Sequence, residues 1–524
     1  DEGRVAVHRQ CPPQAQRTRR DGEERGSIEV VGLIQSRFPI FLLFFVALGQ
    51  ALELEAKRPN ILLIVSEDNG PELGCYGDPY VKTPALDLLS AQGVRFNHAY
   101  VPQAGCSQSR AALLTGLFPH QNGQIGLATW KFRLYDEKTP NLVRSLKEGG
   151  YRTGIIGKLH INPASAFPFD FKKIPSGNFS RSKLGDYAKA ANEFITESNG
   201  PFFLSVNYPD AHRPFINKIS GIPKQTLKGE DVKPLSYFGI DTLELREQTA
   251  SYYNCMSRLD SLIDDLLNVL KKSGKWDETL IIYLGDHGGD MLRGKRTSYE
   301  GGVRIPLIMH WKGKVGFSEG KGQGVRDELV STLDLMPTIL NVAGVAQPDG
   351  LSGKSLLPLL QGRVKSWREY LFTEYHTHSA HNFFPQRTVR NGRFKLIHNL
   401  QPNQINPGYD FTMNRFFPGL QKVIDQTEEP VRSAYALTKQ PPELELYDLK
   451  SDPFEFRNLA NDETYASHLN LLKQNLEKWR KETNDPFLDP KNLKRLKGEI
   501  NECFDGFQPS KKDLKLNYWN YFFE

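Results

Sequence analysis

Residues 59–70 read "PNILLIVSEDNG": five apolar residues in unbroken succession, Ile61–Val65, then a serine and the two carboxylates Glu67 and Asp68. A run that is apolar at every position, without polar alternation, suits a strand buried on both faces, as in a parallel sheet covered by helices. Three further stretches share the form. "YRTGIIGKLH" (151–160) ends in Lys158 and His160, "PFFLSVNYPDAHRP" (201–214) in Asp210 and His212, and "ETLIIYLGDHGGD" (278–290) in Asp286 and His287.

Helical patterns lie between these runs. From Tyr253, the apolar residues Met256, Leu259, Ile263, Leu266, Leu267 and Leu270 recur at helical spacing, and Gly274 follows as a C-terminal cap. Strand–helix alternation predicts an open α/β sheet, in which ligands collect beyond the carboxyl ends of the strands. Any one polar cluster after a strand reads as a turn or a helix cap. Four of them on one edge read as a site. Two acidic pairs suit a hard divalent cation bound by oxygens, and the histidines and lysines suit an anion and its proton transfers. Together they describe metal-assisted hydrolysis of a charged ester or amide.

The rest of the composition bounds this reading. A chain of 524 residues has room for more than one lobe, and 39% hydrophobic with 24% charged residues is ordinary for a folded protein. The net charge of +6 permits an anionic substrate, but no basic run with interleaved aromatics points to nucleic acid. Cys11, Cys75, Cys106, Cys255 and Cys503 have no CxxC spacing, which argues against a zinc ribbon or a disulfide framework. Arg37, the apolar stretch Ile40–Leu48 and the small residues Ala47, Gly49 and Ala51 have the pattern of a secretory signal peptide and are too short for an ordinary membrane span. Export is expected: periplasmic or extracellular in a bacterium, lysosomal or secreted in a eukaryote.

A rare cysteine begins the apolar stretch "AGCSQSRAALLTG" (104–116). Residues i and i+4 share a helix face, so Arg110 stands beside Cys106 at a helix start, where backbone N–H groups favour anions. These residues resemble the sulfatase signature, and "GKRTSYEGGVRIP" (294–306) resembles the second signature of that family. The likeness runs from about Arg58 to Phe487. It implies an alkaline-phosphatase-like α/β fold, with a large mostly parallel sheet between helices and a smaller C-terminal α+β lobe built on an antiparallel sheet. It also implies conversion of Cys106 to formylglycine by dedicated maturation machinery, with the hydrated aldehyde as nucleophile. Glu67, Asp68, Asp286 and His287, with position 106, match the metal positions. Arg110, Lys158, His160, His212 and Lys295 match the catalytic cations and bases. One divalent ion is implied, calcium first, with magnesium or manganese as alternatives.

Three departures from the family pattern stand out. Gln108 replaces the usual proline, Glu67 the commoner aspartate, and His287 an asparagine; imidazole is a softer ligand, which widens the metal choice. Within the family, "LTGLFPHQNGQIGL", "STLDLMPTIL", "RFKLIHNL" and "KETNDPF" look like stretches of the sulfamidase branch, which implies N-sulfoglucosamine at the end of heparan sulfate or heparin as substrate. An O-sulfated glycan, a phosphodiester or phosphonate, and silent carbohydrate binding are the alternatives. Expected boundaries are 1–56 for the extension and signal peptide, 57–365 for the catalytic domain and 366–524 for a lobe that completes the pocket. In that lobe "TEYHTHSAHNFFPQRTVRNGRF" (373–394) is the expected substrate wall, with Glu374, His376, His378 and Arg387 as binding residues; arginine can hold a uronate carboxylate bidentately. A dimer is compatible with the sequence.

Overall fold

The apolar run at 61–65 becomes the central strand of a large sheet. The computed structural model describes residues 58–314, 324–364, 366–505 and 508–524. The expected signal peptide, the rest of the 1–56 extension and Cys11 lie outside the described residues. Nine strands form the sheet: β1 (Asn60–Ser66), β2 (Val94–Tyr100), β3 (Arg152–Gly157), β4 (Phe171–Lys173), β5 (Phe202–Tyr208), β6 (Thr279–Gly285), β7 (Arg304–His310), β8 (Val325–Arg326) and β9 (Val330–Ser331). Their order is β4-β3-β5-β1-β6-β7-β2-β8, with β9 also on β2. β1 pairs in parallel with β5 and β6, and β3 pairs in parallel with β4 and β5. β7 is antiparallel to both of its neighbours, so β2 again runs with the majority.

The sheet is covered on both faces. Leu62 and Ile64 of β1 enter one apolar cluster with Phe194, Leu259, Ile263 and Leu266, while Ile61, Leu63 and Val65 enter the opposite one with Leu113, Val143, Ile339 and Leu340. Each such side chain contributes about 1.5–3 kcal/mol by burial. The helix read from Tyr253 begins earlier, at Leu243, because the Thr242 side chain accepts the Leu245 N–H as a cap, and it ends at Lys272. Gly274 lies beyond it at φ 73°, a conformation open to glycine.

A second sheet is antiparallel, β10 (Leu371–Tyr375), β11 (Gln386–Arg390), β12 (Phe394–Asn399) and β13 (Leu444–Asp448), in that order. The helix Ala466–Glu482 covers it through Leu472, Leu476 and Trp479, which pack on Val389, Phe394 and Leu396. The Asn/Pro-rich segment 399–411 runs into a helix, Pro407–Phe416, with Asn406 as its cap. Residues Arg58–Glu524 form one compact unit. Among the described residues, no helix is long and apolar enough to cross a membrane.

Candidate active site

Because β1, β3, β5 and β6 are parallel neighbours, the residues following them share one edge of the sheet. The Asp68 N–H donates to Asp286 Oδ1 at 2.9 Å, joining the ends of β1 and β6 directly. Asp68 and His160 take left-handed backbone conformations (φ 49° and 59°), a cost of about 1–3 kcal/mol each that the surrounding structure sustains.

Cys106 opens a helix, Cys106–Thr115, of which every residue is buried. The helix closes at Gly116, whose φ of 67° is in the left-handed region. Its start is fastened from outside: Ser107 Oγ accepts the Ala128 N–H at 2.9 Å, and Gln108 donates Nε2 to the Thr377 carbonyl at 2.5 Å. A side chain at Gly105 would meet Gln108 Oε1 at 2.6 Å and would have to displace that amide. Gln108, conspicuous in the sequence as a departure, thus ties the helix to the segment after β10.

Around the Cys106 thiol stand His287 Nε2 at 3.4 Å, Lys295 Nζ at 3.5 Å and Glu67 Oε2 at 3.7 Å. Lys158 reaches Glu67 at 2.8 Å, and Lys295 reaches Asp68 at 2.8 Å. Arg110 forks across the site: one arm bonds Glu67 and lies 3.2 Å from Asp286, the other donates to Asn207 Oδ1 at 2.6 Å and to the Lys158 carbonyl at 3.1 Å. Burial alone would raise the Glu67 carboxyl, but Lys158 and Arg110 hold it well below its ordinary range. Burial likewise opposes ionisation of Asp68, and Lys295 overcomes it. Three carboxylates therefore face the three cations Arg110, Lys158 and Lys295.

The donors also fit a metal ion. Asp68, Cys106 and His287 offer ligand atoms within 4.8 Å of one another, as do Glu67, Cys106 and Asp286. Asp286 Oδ2 is buried and makes no well-aligned hydrogen bond, only the 3.2 Å ion pair with Arg110, so it keeps acceptor capacity that a cation can use. Burial would lower the His287 imidazole, yet Asp286 and Asp68 push it up to about 9, a measure of the negative charge facing it.

The two remaining histidines differ in surroundings. Both ring nitrogens of His160 are buried without partners, and burial together with Lys158 holds the ring well below its ordinary pKa. His212 donates from Nδ1 to the Arg213 carbonyl at 2.5 Å, which turns Nε2 free, and burial lowers its pKa. Phe179 stacks on His212 with ring centroids 3.9 Å apart and lies 5.1 Å from Lys158 Nζ. Sequence reading passed over Phe179; its only signal was the tripeptide Asn178-Phe179-Ser180, a glycosylation pattern whose asparagine is buried here. It also passed over Asp290 and Arg296, a buried pair beside Lys295.

The expected substrate wall divides. His378 is half-buried, and Lys295, Arg296, His287 and His160 all act electrostatically on its ring, so it belongs with the cluster. Glu374, His376 and Arg387, as buried as the cluster itself, are engaged in a separate network. Glu374 bonds His120 Nδ1 at 2.6 Å and lies 3.2 Å from His376. Arg387 spends its bidentate face on Asp485, at 2.7 and 2.8 Å, so no uronate carboxylate can take that place. In this geometry the three fasten β10 and β11 to the segment after the Ala466–Glu482 helix. A strand buried on both faces explains why binding-type residues turn inward.

Comparison with known proteins bears on this arrangement. The family model described as Sulfatase matches residues 59–345. A second, described as N-sulphoglucosamine sulphohydrolase, C-terminal, matches residues 285–428. N-sulphoglucosamine sulphohydrolase from Homo sapiens is 33% identical over 492 residues, which cover 84% of this chain and 94% of that one. A structure solved in complex with its substrate D-glucosamine-2-N,6-O-disulfate superposes with a TM-score of 0.60 at 23% identity, over 82% of this chain and 99% of the other. The phosphonate monoester hydrolase of Agrobacterium radiobacter does so with a TM-score of 0.58 at 20% identity, over 81% and 96%. At such identities these two likenesses establish a shared fold, which hosts more than one chemistry.

Proposed function

The chain belongs to the sulfatase family and is a hydrolase of sulfuric esters or sulfamides; from that premise we propose that it releases sulfate from a sulfated sugar, namely N-sulfoglucosamine at the end of a heparan sulfate or heparin oligosaccharide. The observation that carries this reading is the packing of Cys106 among Glu67, His287 and Lys295, with Arg110 one helical turn along.

Cys106, converted to formylglycine, supplies a hydrated aldehyde as the nucleophile. Glu67, Asp68, Asp286 and His287, with position 106, would hold one divalent ion, calcium first and magnesium or manganese next, which lends positive charge to the sulfate oxygens. The charge count supports this: with His287 neutral as a ligand, Arg110, Lys158 and Lys295 balance the three carboxylates, so a divalent ion would leave the surplus that an anionic substrate needs.

The chain's own groups do the rest. Arg110 holds Glu67 beside Asp286, and Lys158 and Lys295 face the charge that develops on sulfate oxygens; each such charge-assisted hydrogen bond contributes about 1.5–3 kcal/mol. His212 keeps Nδ1–H on the Arg213 carbonyl and presents Nε2 to the leaving nitrogen. Its lowered pKa makes the imidazolium a strong acid once loaded, with Lys295 assisting. His160, neutral and without partners, is suited to remove the remaining hydroxyl proton at position 106. Residues 57–365 carry this chemistry and 366–524 complete the pocket, with His378 under the electrostatic influence of Lys295, His287 and His160. Export follows from the signal-like segment.

Mass spectrometry of the peptide containing Cys106 tests maturation. Heparin-derived oligosaccharides assayed separately for loss of N-linked and O-linked sulfate test the substrate. O-desulfation with intact N-sulfate would overturn the N-sulfoglucosamine assignment and leave the sulfatase chemistry standing.

A further inference from the structure

One cavity takes no part in the reaction as described. It encloses about 910 Å³ and is lined by Trp130, the 380–415 stretch and the Pro490–Asn501 helix. Two of its lining residues share an apolar cluster with Cys106: Cys106, Trp130 and Phe383 all belong to it. The His381 ring lies 5.6 Å from that of Trp130 and 4.4 Å from that of Phe411, and Phe411 in turn lies 5.5 Å from the guanidinium of Arg296, the residue after Lys295.

Its walls are unsaturated in a consistent sense. Gln401 is only 6% exposed; its Oε1 accepts from Lys497 at 2.6 Å, while its Nε2 is buried with no partner. Leaving such a donor unmade costs about 1–3 kcal/mol, which a bound acceptor would offset. Lys497 is held by two neutral amide oxygens, of Gln401 and of Gln404 at 2.8 Å. Arg415 lies against the rings of Phe411 and Phe416, each at 5.7 Å. Among the described residues, neither cation has a carboxylate within salt-bridge distance, although Asp410 also lines the cavity. Lys511 stands 5.1 Å above the Trp130 ring. Cations on neutral partners keep their charge for a ligand, and flat aromatic faces give it an apolar platform. The volume falls within the range of about 300–1,000 Å³ typical of ligand sites.

We propose that this cavity binds the sugar units next to the reacting one in an anionic oligosaccharide, with their carboxylates or sulfates on Arg415 and Lys497 and their ring faces against Phe411. The inference rests on the sulfated-sugar reading above and makes the enzyme one that prefers an oligosaccharide to a monosaccharide.

The test compares wild type with Arg415→Gln and Lys497→Gln, neither of which belongs to the catalytic cluster. Sulfate release is measured from N-sulfated glucosamine and from a heparin-derived tetrasaccharide that ends in the same sugar, and binding of the tetrasaccharide is measured by calorimetry. Wild type is expected to favour the tetrasaccharide, and each variant to lose about tenfold in kcat/KM and in affinity for it while the monosaccharide rate stays unchanged. Equal effects on both substrates, or no effect on tetrasaccharide affinity, would overturn the cavity assignment with the sulfatase reading intact. Absence of sulfate release from both substrates would instead overturn the N-sulfoglucosamine reading, and the calorimetric comparison would still decide whether the cavity holds an anionic saccharide.

Discussion

Arg110→Ala is the perturbation whose consequences the structure specifies most fully. Arg110 is 3% exposed and serves Glu67, Asp286, Asn207 and the Lys158 carbonyl at once. Removing one partner of a buried charge pair costs about 3–5 kcal/mol, since the other charge is left uncompensated. The melting temperature of metal-depleted protein should fall accordingly. In turnover, the loss of two charge-assisted bonds at about 1.5–3 kcal/mol each should lower kcat/KM by roughly 10²–10⁴-fold. Arg110→Lys keeps the charge but not the fork, because one ammonium cannot span Glu67 and Asn207, and should recover only part of the loss. A third readout separates this from general damage. With one positive charge gone beside Glu67 and Asp286, added calcium should raise the melting temperature of Arg110→Ala more than that of wild type. An Arg110→Ala enzyme within tenfold of wild-type kcat/KM, or one whose calcium response is smaller than wild type, would refute the reasoning.

Cys106→Ala should abolish turnover while leaving the melting temperature nearly unchanged, because its thiol makes only long contacts of 3.4–3.7 Å; wild-type activity in that variant would remove Cys106 from the chemistry. Chelation should inactivate the enzyme, and calcium, magnesium and manganese should restore it to different extents; full activity in a demonstrably metal-free preparation would contradict the assigned donor set. Burial and Arg387 lower His376 to about 4, below its unfolded value of about 6.5, so the unfolded chain binds the proton first as pH falls. Stability should therefore drop between pH 6.5 and 4, by on the order of 3 kcal/mol from this group. Melting curves of His376→Gln across that range should show a shallower acid decline than wild type, and identical slopes would exclude His376 as the source.

Much of the architecture was legible because burial on both faces leaves a plain mark. Ile61–Val65 could only be a covered strand, and once the strands were parallel, their polar ends had to meet. The antiparallel course of β7 was not legible, since an apolar run carries no direction. The strand Gln386–Arg390 was hidden for a related reason. Its Gln, Arg, Thr and Arg look like a solvated or binding face, yet Arg387 is neutralised by Asp485, ninety-eight residues on, and Arg390 by Glu300. No local pattern announces a partner so distant. Phe179 was missed because a lone aromatic in a polar loop has no periodicity, and its stack on His212 exists only after the chain has folded.

The complete burial of the Cys106–Thr115 helix has a consequence in time rather than in space. Another protein can grip an extended segment or an exposed loop, but not a helix roofed on every side and bolted by Gln108 to Thr377. If Cys106 is converted as proposed above, the converting enzyme would have to reach it before the chain closes around this helix. A molecule that folded with the thiol untouched would then have passed its single opportunity.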